Sequence, residues 1–416
     1  MRQIKKINVF LGLDLVGQLN INNQNQILFS YEPLWLTNGF NISPFDLKMD
    51  STAQLAQDNL FNGLHGIFAD SISDGWGLLL VDRALQKQYG LNRHQITPLD
   101  RLNFIGHHAM GALRYEPVLI HENINTFSLE QIFEENMKII QGNSDDIIKE
   151  LYLSGGSPNG ARPKAVFARN GDLFVSGYNE IPLNHEGWIV KFFSEEDNKD
   201  TGKIEKAYSD MAMDCGLIMM ETDLIHTKIK KKDYSFFATK RFDRIGNNRI
   251  HTASLSGLTY ASHRMPTVSY KDIFNLTQSL CVEHSYLELD KLFDLMLFNI
   301  VMHNKDDHTK NFSFIYDGSW KLAPAYDLVF SHSFSNQHMT DLGGNGNPDL
   351  NDVLSIAKLF NIKDVAEKIE RFINIANKWH LYAEKYEVST TGKDLIKKEL
   401  NKIQNRFVHK HFNLGI

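Results

Sequence analysis

The chain has 416 residues, of which 42% are hydrophobic and 23% charged, a composition that excludes a disordered or membrane-embedded polypeptide and leaves room for about two to three domains. A net charge of −6 supplies no global positive field to draw it to nucleic acid or anionic lipid. Its two cysteines, Cys215 and Cys281, lie far apart without metal-ligand spacing, so no disulfide framework is expected and a reducing compartment fits.

Residues 1–45 read as a β-hairpin or meander. The runs Asn8-Val9-Phe10-Leu11 and Ile27-Leu28-Phe29-Ser30-Tyr31 flank the polar turn Asn22-Asn23-Gln24-Asn25. The apolar stretch Val9 to Val16 is short and broken by Asp14, which marks a strand and not a signal peptide. No run of about 18 uncharged apolar residues occurs, so no transmembrane helix is expected. Residues 50–95 are expected to be helical, with Trp76, Leu79, Leu80, Ala84 and Leu85 at helical spacing and Gly90 as the stop. Further helices are expected over Ser128–Gln141 and Asp145–Leu151.

The β signal then returns. Ala165–Ala168 and Leu173–Ser176 flank Asn170-Gly171, a strong hairpin signal. Trp188–Phe193 reads as a buried strand, Glu205–Cys215 as a helix ending at Gly216. Two strands, Leu217–Lys228 and Tyr234–Phe242, bracket the basic turn Lys230-Lys231-Lys232. From about Tyr270 helices dominate, at 270–282, 287–303 and from Asn351 onward, interrupted by a polar loop at 303–310 and a hairpin turning at Asp317-Gly318. The pattern predicts a mixed α/β N-terminal half and a mainly helical C-terminal half, with the seam near 243–265.

The chemistry concentrates in His303-Asn304-Lys305-Asp306-Asp307-His308-Thr309-Lys310-Asn311. Four residues separate Asp306 from Asn311. That is the spacing of a kinase catalytic loop, in which the Asp accepts the proton of the substrate hydroxyl and the Asn holds magnesium. The transferred group is negative, so the metal needs oxygen ligands close to the base. Asp327, in Ala325-Tyr326-Asp327-Leu328, follows a hairpin strand where a second metal-binding carboxylate belongs. Upstream, Lys191 lies within an apolar strand and Glu205 at the start of the next helix, the order of the ion pair that positions nucleotide phosphates. Ser154 to Lys164 forms a glycine-bearing loop whose N–H groups could approach phosphate; it is neither a Walker A loop nor Gly-x-Gly-x-x-Gly. The histidines beside Asp306 and Asp307 lack the i, i+4 spacing of a helical metal site, and His308 is expected to brace the loop through hydrogen bonds.

With these motifs in this order, the chain resembles the HipA family of bacterial serine/threonine kinases, the toxin half of toxin–antitoxin pairs. The likeness is strongest at Asn304–Phe314, Leu322–Leu328 and Phe237–Arg244, and continues through Gly160–Lys164 and Phe68–Gly77. The resemblance implies a two-lobed, protein-kinase-like α+β fold: an N-terminal β-rich subdomain with helices (1–120), an ATP-binding α/β part (121–262) and a helical lobe with the catalytic loop (263–416). Against the family motif Asp-Gly-His-Ala-Lys-Asn, it implies Asp306 as the base and Asn311 as a magnesium ligand. Asp307 stands where the motif often has glycine, and Thr309 where it has alanine. Asp327 matches the second metal-binding aspartate, Lys191 the ATP-phosphate lysine and Glu205 its helix partner. Lys240-Arg241-Phe242 matches the segment bordering adenine, with Asp243 near the ribose. Ser157, Asn159, Gly160, Ala161 and Lys164 match the nucleotide-facing loop. Ser157, with Ser154 as the alternative, matches the serine whose autophosphorylation ejects that loop. The resemblance further implies ATP and magnesium as cofactors, a protein substrate such as a translation factor, a small helix-turn-helix antitoxin, DNA contact only through that complex, and a cytoplasmic location. Two other readings stay open: a silent kinase-fold binding subunit and a small-molecule phosphotransferase.

Overall fold

The computed structural model describes residues 4–118, 127–140, 162–176, 180–193, 199–332 and 336–408. They form two compact units, residues 1–197 with 227–260 and residues 198–226 with 261–416. The fold is α+β, sheet-rich toward the N-terminus and helical toward the C-terminus.

The first unit begins with an antiparallel sheet of β1 (Lys6–Leu11), β2 (Asp14–Ile21), β3 (Ile27–Tyr31), β4 (Gln54–Leu55) and β5 (Leu113–Glu116), ordered β4-β3-β2-β1-β5. Alternation buries Ile7 and Val9 on β1 and Ile27 and Phe29 on β3; on β2 both Val16 and Leu19 enter the core, where the pairing with β1 shifts register between Val9 and Phe10. The β2–β3 turn closes as the sequence indicates, because Asn22 Oδ1 accepts from the Gln24 and Gln26 amides. At Gly17 a side chain would have no room, since its Cβ would lie 2.3 Å from the Ser30 carbonyl oxygen.

Helix α1 (Gly75–Tyr89) stops at Gly90, whose φ of 65° and bond to the Gln86 carbonyl make a left-handed cap. The helical expectation for the stretch before it does not hold. Residues 50–65 are mostly irregular, apart from β4. Asp50 accepts from the Thr52 amide and Asp58 from the Leu60 amide. Such side-chain bonds compete with the helix ladder. Helix α2 (Pro98–Ile105) opens with a capping box between Thr97 and Asp100.

The motif Phe68–Gly77 proves to be a joint within this unit. Asp70 accepts from the Ser254 amide at 2.7 Å and from its hydroxyl at 2.6 Å. Gly66 and Gly257 touch backbone to backbone, with a Gly66 Cβ falling 2.0 Å from the Gly257 oxygen. Asp46 joins His65 Nδ1 at 3.0 Å and accepts from the Tyr260 hydroxyl at 2.8 Å.

A second five-stranded sheet follows: β6 (Lys164–Asn170), β7 (Leu173–Val175), β8 (Glu186–Lys191), β9 (Thr222–Ile229) and β10 (Lys232–Lys240), ordered β7-β6-β8-β10-β9. The β6–β7 hairpin turns at Asn170-Gly171 as expected, with Gly171 at φ 59°. The lysine turn also forms, with Lys230 and Lys231 both at positive φ. Helix α3 (Leu129–Ile140) inserts Phe133 among Phe192, Phe193, Tyr234 and Phe236, at ring distances of 4.9 to 6.2 Å. The expected helix at Asp145–Leu151 lies outside the described residues.

The second unit contains helix α4 (Thr201–Asp214), which carries Glu205, together with α5 (Tyr270–Leu280), α6 (Ser285–Val301), the hairpin β11 (Ser313–Tyr316) and β12 (Trp320–Leu322), and helices α7 (Leu350–Leu359), α8 (Val365–Asn377), α9 (Trp379–Lys385) and α10 (Thr390–Val408). Helix α6 is apolar on nearly every side, with Leu292, Phe293, Met296, Leu297, Phe298, Ile300 and Val301 all buried. A helix hydrophobic all round belongs at the centre of its unit, and its end delivers the polar loop. Helix α4 is tied to the C-terminal helices through Asp210, which accepts from Lys385 at 2.7 Å and from Tyr386 at 2.5 Å.

Candidate active site

The loop begins where α6 stops. Met302 caps the helix and His303 turns left-handed, at φ 57°. Burial first, then the nearby Lys305 and His332, lowers the His303 pKa to about 4, so its ring is neutral at pH 7. His303 Nδ1 donates to the Ser331 carbonyl at 3.1 Å, and the ring stacks on Phe330 at 5.0 Å. Asn304 donates to Asn299 Oδ1 at 2.9 Å and accepts from the Ser331 hydroxyl at 3.0 Å. The same hydroxyl oxygen accepts the Asp306 amide at 3.0 Å. Ser331, which nothing in the sequence singles out, is therefore a strut beneath the loop.

Asp306 and Asp307 have opposite environments. The Asp306 side chain is 62% exposed, whereas that of Asp307 is 0% exposed. Asn311 donates its amide group to the Asp306 carbonyl at 2.7 Å. That bond uses the nitrogen end of the carboxamide and points the oxygen end elsewhere. The expected bracing by His308 is present: its Nδ1 accepts the Lys310 amide at 3.3 Å, and its Nε2 lies 4.0 Å from Asp306 Oδ1. Thr309 donates to the Ala261 carbonyl at 3.1 Å, so the variant position of the motif is used as an anchor. Tyr326 donates to the Lys310 carbonyl at 2.6 Å and bonds the Ser313 hydroxyl at 2.6 Å.

Asp327 follows at φ 54°, a left-handed conformation that aspartate tolerates better than most residues. Its segment is fixed by the bond from the Ala325 amide to the Ile218 carbonyl, 2.8 Å. Glu205 is buried in α4. That helix is anchored next to the loop by Tyr208, whose hydroxyl donates to the Met302 carbonyl at 2.9 Å. The second unit thus brings Asp306, His308 and Asn311 together on one loop, and ties both the Asp327 segment and the Glu205 helix to its supports.

Among the described residues no group of three or more His, Cys, Asp or Glu could by itself hold a metal. Magnesium does not require one. It keeps waters and phosphate oxygens and takes one or two protein oxygens. The Asn311 carboxamide and the Asp327 carboxylate are donors of that hard type, so the residues fit.

The first unit carries the remaining candidates. Lys191, at the end of β8, is paired directly with Lys164 on β6, and its ammonium lies 5.5 Å from the Phe237 ring centre. Both lysines are half-buried. Lys240 makes an ion pair with Glu186. Phe242 is half-buried. The Asp243 carboxylate is 2% exposed and fully engaged: it accepts from Arg241 at 2.7 and 2.8 Å, Arg244 at 2.8 Å and the Gly111 amide at 2.7 Å. Burial alone would raise its pKa, but the two guanidinium groups outweigh it and hold the carboxyl well below the usual range. In this structure Asp243 organises the 241–244 segment from within. Ser154, Ser157, Asn159, Gly160 and Ala161 lie outside the described residues.

The HipA N-terminal domain family matches residues 7–116 and the HipA-like C-terminal domain family matches residues 156–387. The fold matches that of HipA from Shewanella oneidensis MR-1, solved with HipB and operator DNA, at a TM-score of 0.69 and 17% identity over 99% of this chain and 100% of that one. A weaker likeness, TM-score 0.40 and 14% identity over 60% of this chain and 94% of that one, reaches the Helicobacter pylori proinflammatory kinase CtkA. Y4mE of Sinorhizobium fredii (strain NBRC 101917 / NGR234), whose name gives kinase as an expected activity, is 35% identical over 107 residues. That match spans 23% of this chain and a quarter of the relative's length.

Proposed function

The chain belongs to the HipA family, and from that premise we propose that it is an ATP- and magnesium-dependent kinase acting on a serine or threonine hydroxyl of a protein. The observation that carries this reading is the division of labour in the loop. Asp307 takes the buried structural position, while Asp306 stays exposed at kinase spacing from an Asn311 that is already bonded to its backbone.

In this reading the exposed Asp306 carboxylate accepts the hydroxyl proton as that oxygen attacks the γ-phosphorus, and the bond to the β-phosphate oxygen breaks with ADP leaving. Asn311 and Asp327 would hold magnesium, which supplies charge neutralisation across the phosphates when bound. Lys191 and the facing Lys164 offer two ammonium groups to phosphate oxygens. Arg241 and Asp243 keep the segment beside the nucleotide rigid. His308 holds the loop and touches no substrate.

The proposal extends to Ser157, or Ser154, as a site of self-phosphorylation. It also extends to a translation factor as target, and to a small antitoxin as partner, as the Shewanella HipA was solved with HipB and its operator DNA. No helix among the described residues is long and apolar enough to cross a membrane, and we place the activity in the cytoplasm.

The test is intact-mass measurement after incubation with Mg-ATP, alongside Asp306→Ala. A gain of one phosphoryl group, mapped to residues 154–157 and absent in the variant, supports the assignment. If the wild type gains none and does not bind Mg-ATP by calorimetry, the enzymatic reading is wrong.

A further inference from the structure

Asp307 accepts four donors. Oδ1 takes the Met339 amide at 2.8 Å and the Thr340 amide at 3.3 Å. Oδ2 takes the Tyr270 hydroxyl at 2.7 Å and His338 Nδ1 at 2.9 Å. Its backbone carbonyl also accepts the Thr340 hydroxyl at 2.5 Å. A buried carboxylate is tolerated only when it is compensated in this way. Burial, then the Asp307 charge, pushes the Tyr270 phenol well above its usual range, so it remains a donor. Tyr270 in turn accepts from Asn299, the residue that holds Asn304.

The residue on the other side of Asp306 does the same to the same stretch of chain. The buried Lys305 ammonium donates to the Asn336 carbonyl at 2.5 Å, to Asn336 Oδ1 at 3.1 Å and to Asn347 Oδ1 at 2.9 Å. The two neighbours of Asp306 therefore both grip residues 336–347, which follow Asp327 in the chain. Kinases commonly order the corresponding stretch by phosphorylating it, which creates new pairs with arginine. Here the negative charge sits in the loop. The one hydroxyl side chain of residues 336–347, that of Thr340, is consumed as a strut.

We propose that Asp307 is a positioning residue, a clasp that fixes Asp306 and Asn311 against residues 338–340 as the protein folds, without modification of that segment. The clasp rests on the kinase reading of the loop, but it makes a structural claim that can be judged separately. It is set by carboxylate geometry, so Asp307→Ala should loosen the loop while leaving the nucleotide contacts in place.

The experiment combines hydrogen exchange with phosphotransfer for wild type, Asp307→Ala, Asp307→Asn and His338→Gln. In Asp307→Ala, amides of residues 303–311 should exchange about tenfold faster, with those of α6 unchanged. Phosphate incorporation from ATP should slow about 100-fold, the scale of a misplacement near 1 Å, with Mg-ADP affinity held within about twofold. Asp307→Asn keeps an oxygen for the Met339 and Thr340 amides and should restore part of both. His338→Gln should fall between Asn and wild type. Unchanged exchange at 303–311 in the variants, or acceleration shared equally with α6, overturns the clasp. If Asp307→Ala does not fold, the Asn and Gln variants carry the same comparison. A wild type without phosphotransfer removes the kinase reading, while the exchange data still decide whether the clasp exists.

Discussion

The loop at 303–311 and the segment at 241–244 are built from similar material, aspartate beside basic residues, and use it in opposite ways. In the loop two carboxylates stand side by side, one enclosed by four donors and one with its side chain largely exposed. In the segment a single carboxylate is enclosed by Arg241, Arg244 and the Gly111 amide, and none is left over. A carboxylate is available for chemistry only when another group carries the structural burden. By that criterion the proposed reading takes Asp306 as the reactive group, and Asp243 is a brace.

The contrast is broken most severely at Asp306. Asp306→Ala should lower phosphotransfer about 1000-fold, in the range general bases contribute, with thermal stability unchanged. Retained stability together with retained transfer would put the base elsewhere.

Asp243→Ala should do the reverse and act on folding. Removing the carboxylate takes the shared buried anion from Arg241 and Arg244, while Arg244 keeps its bonds to the Gly111 and Ala109 carbonyls; the loss measured by urea denaturation should be about 3 kcal/mol. Its folded pKa is depressed, so the stabilisation is present above the unfolded value near 4 and lost as pH falls through the lower folded value. Loss of stability centred above pH 5 in wild type but absent in Asp243→Asn would contradict this.

How much was legible in advance follows from how far the partners lie along the chain. Asn170-Gly171, the Gly90 stop and the spacing of Asp306 to Asn311 are local patterns, and local physics decides them. Glu205 was readable as a helix residue, yet the Tyr208 anchor to Met302 was not, because it joins residues distant in sequence. Asp243 and Gly111, or Asp307 and His338, are likewise joined only by folding. The spacing to Asn311 favours Asp306 over Asp307 in the sequence, and the structure adds that Asp307 is the enclosed member of the pair. The helical reading of 50–65 failed because Asp50 and Asp58 accept the backbone amides of Thr52 and Leu60.

A milder effect separates the two units by pH. Burial lowers the pKa of both His303 and His251 to about 4. Each group resists protonation in the folded chain, so the stability it contributes is present above about 6.5 and lost as pH falls toward 4. The urea midpoint should therefore fall between pH 7 and pH 5. His303→Gln should flatten that slope and, through the loop, also alter transfer, whereas His251→Gln should flatten the slope alone.

The smallest expected effect tests the facing lysines. Lys164→Ser should reduce the thermal shift that Mg-ATP gives the wild type, because one of the two ammonium groups offered to phosphate is lost. An equal shift in wild type and variant would mean that no anion lies between them.

The most direct measurement of the central claim is a single-turnover time course of phosphate incorporation for wild type and Asp306→Asn, with Mg-ATP affinity taken by calorimetry on the same samples. The account expects equal affinity within about twofold and a loss of transfer near 1000-fold in the variant. Transfer at the wild-type rate in Asp306→Asn would contradict the assignment of the exposed aspartate as the base.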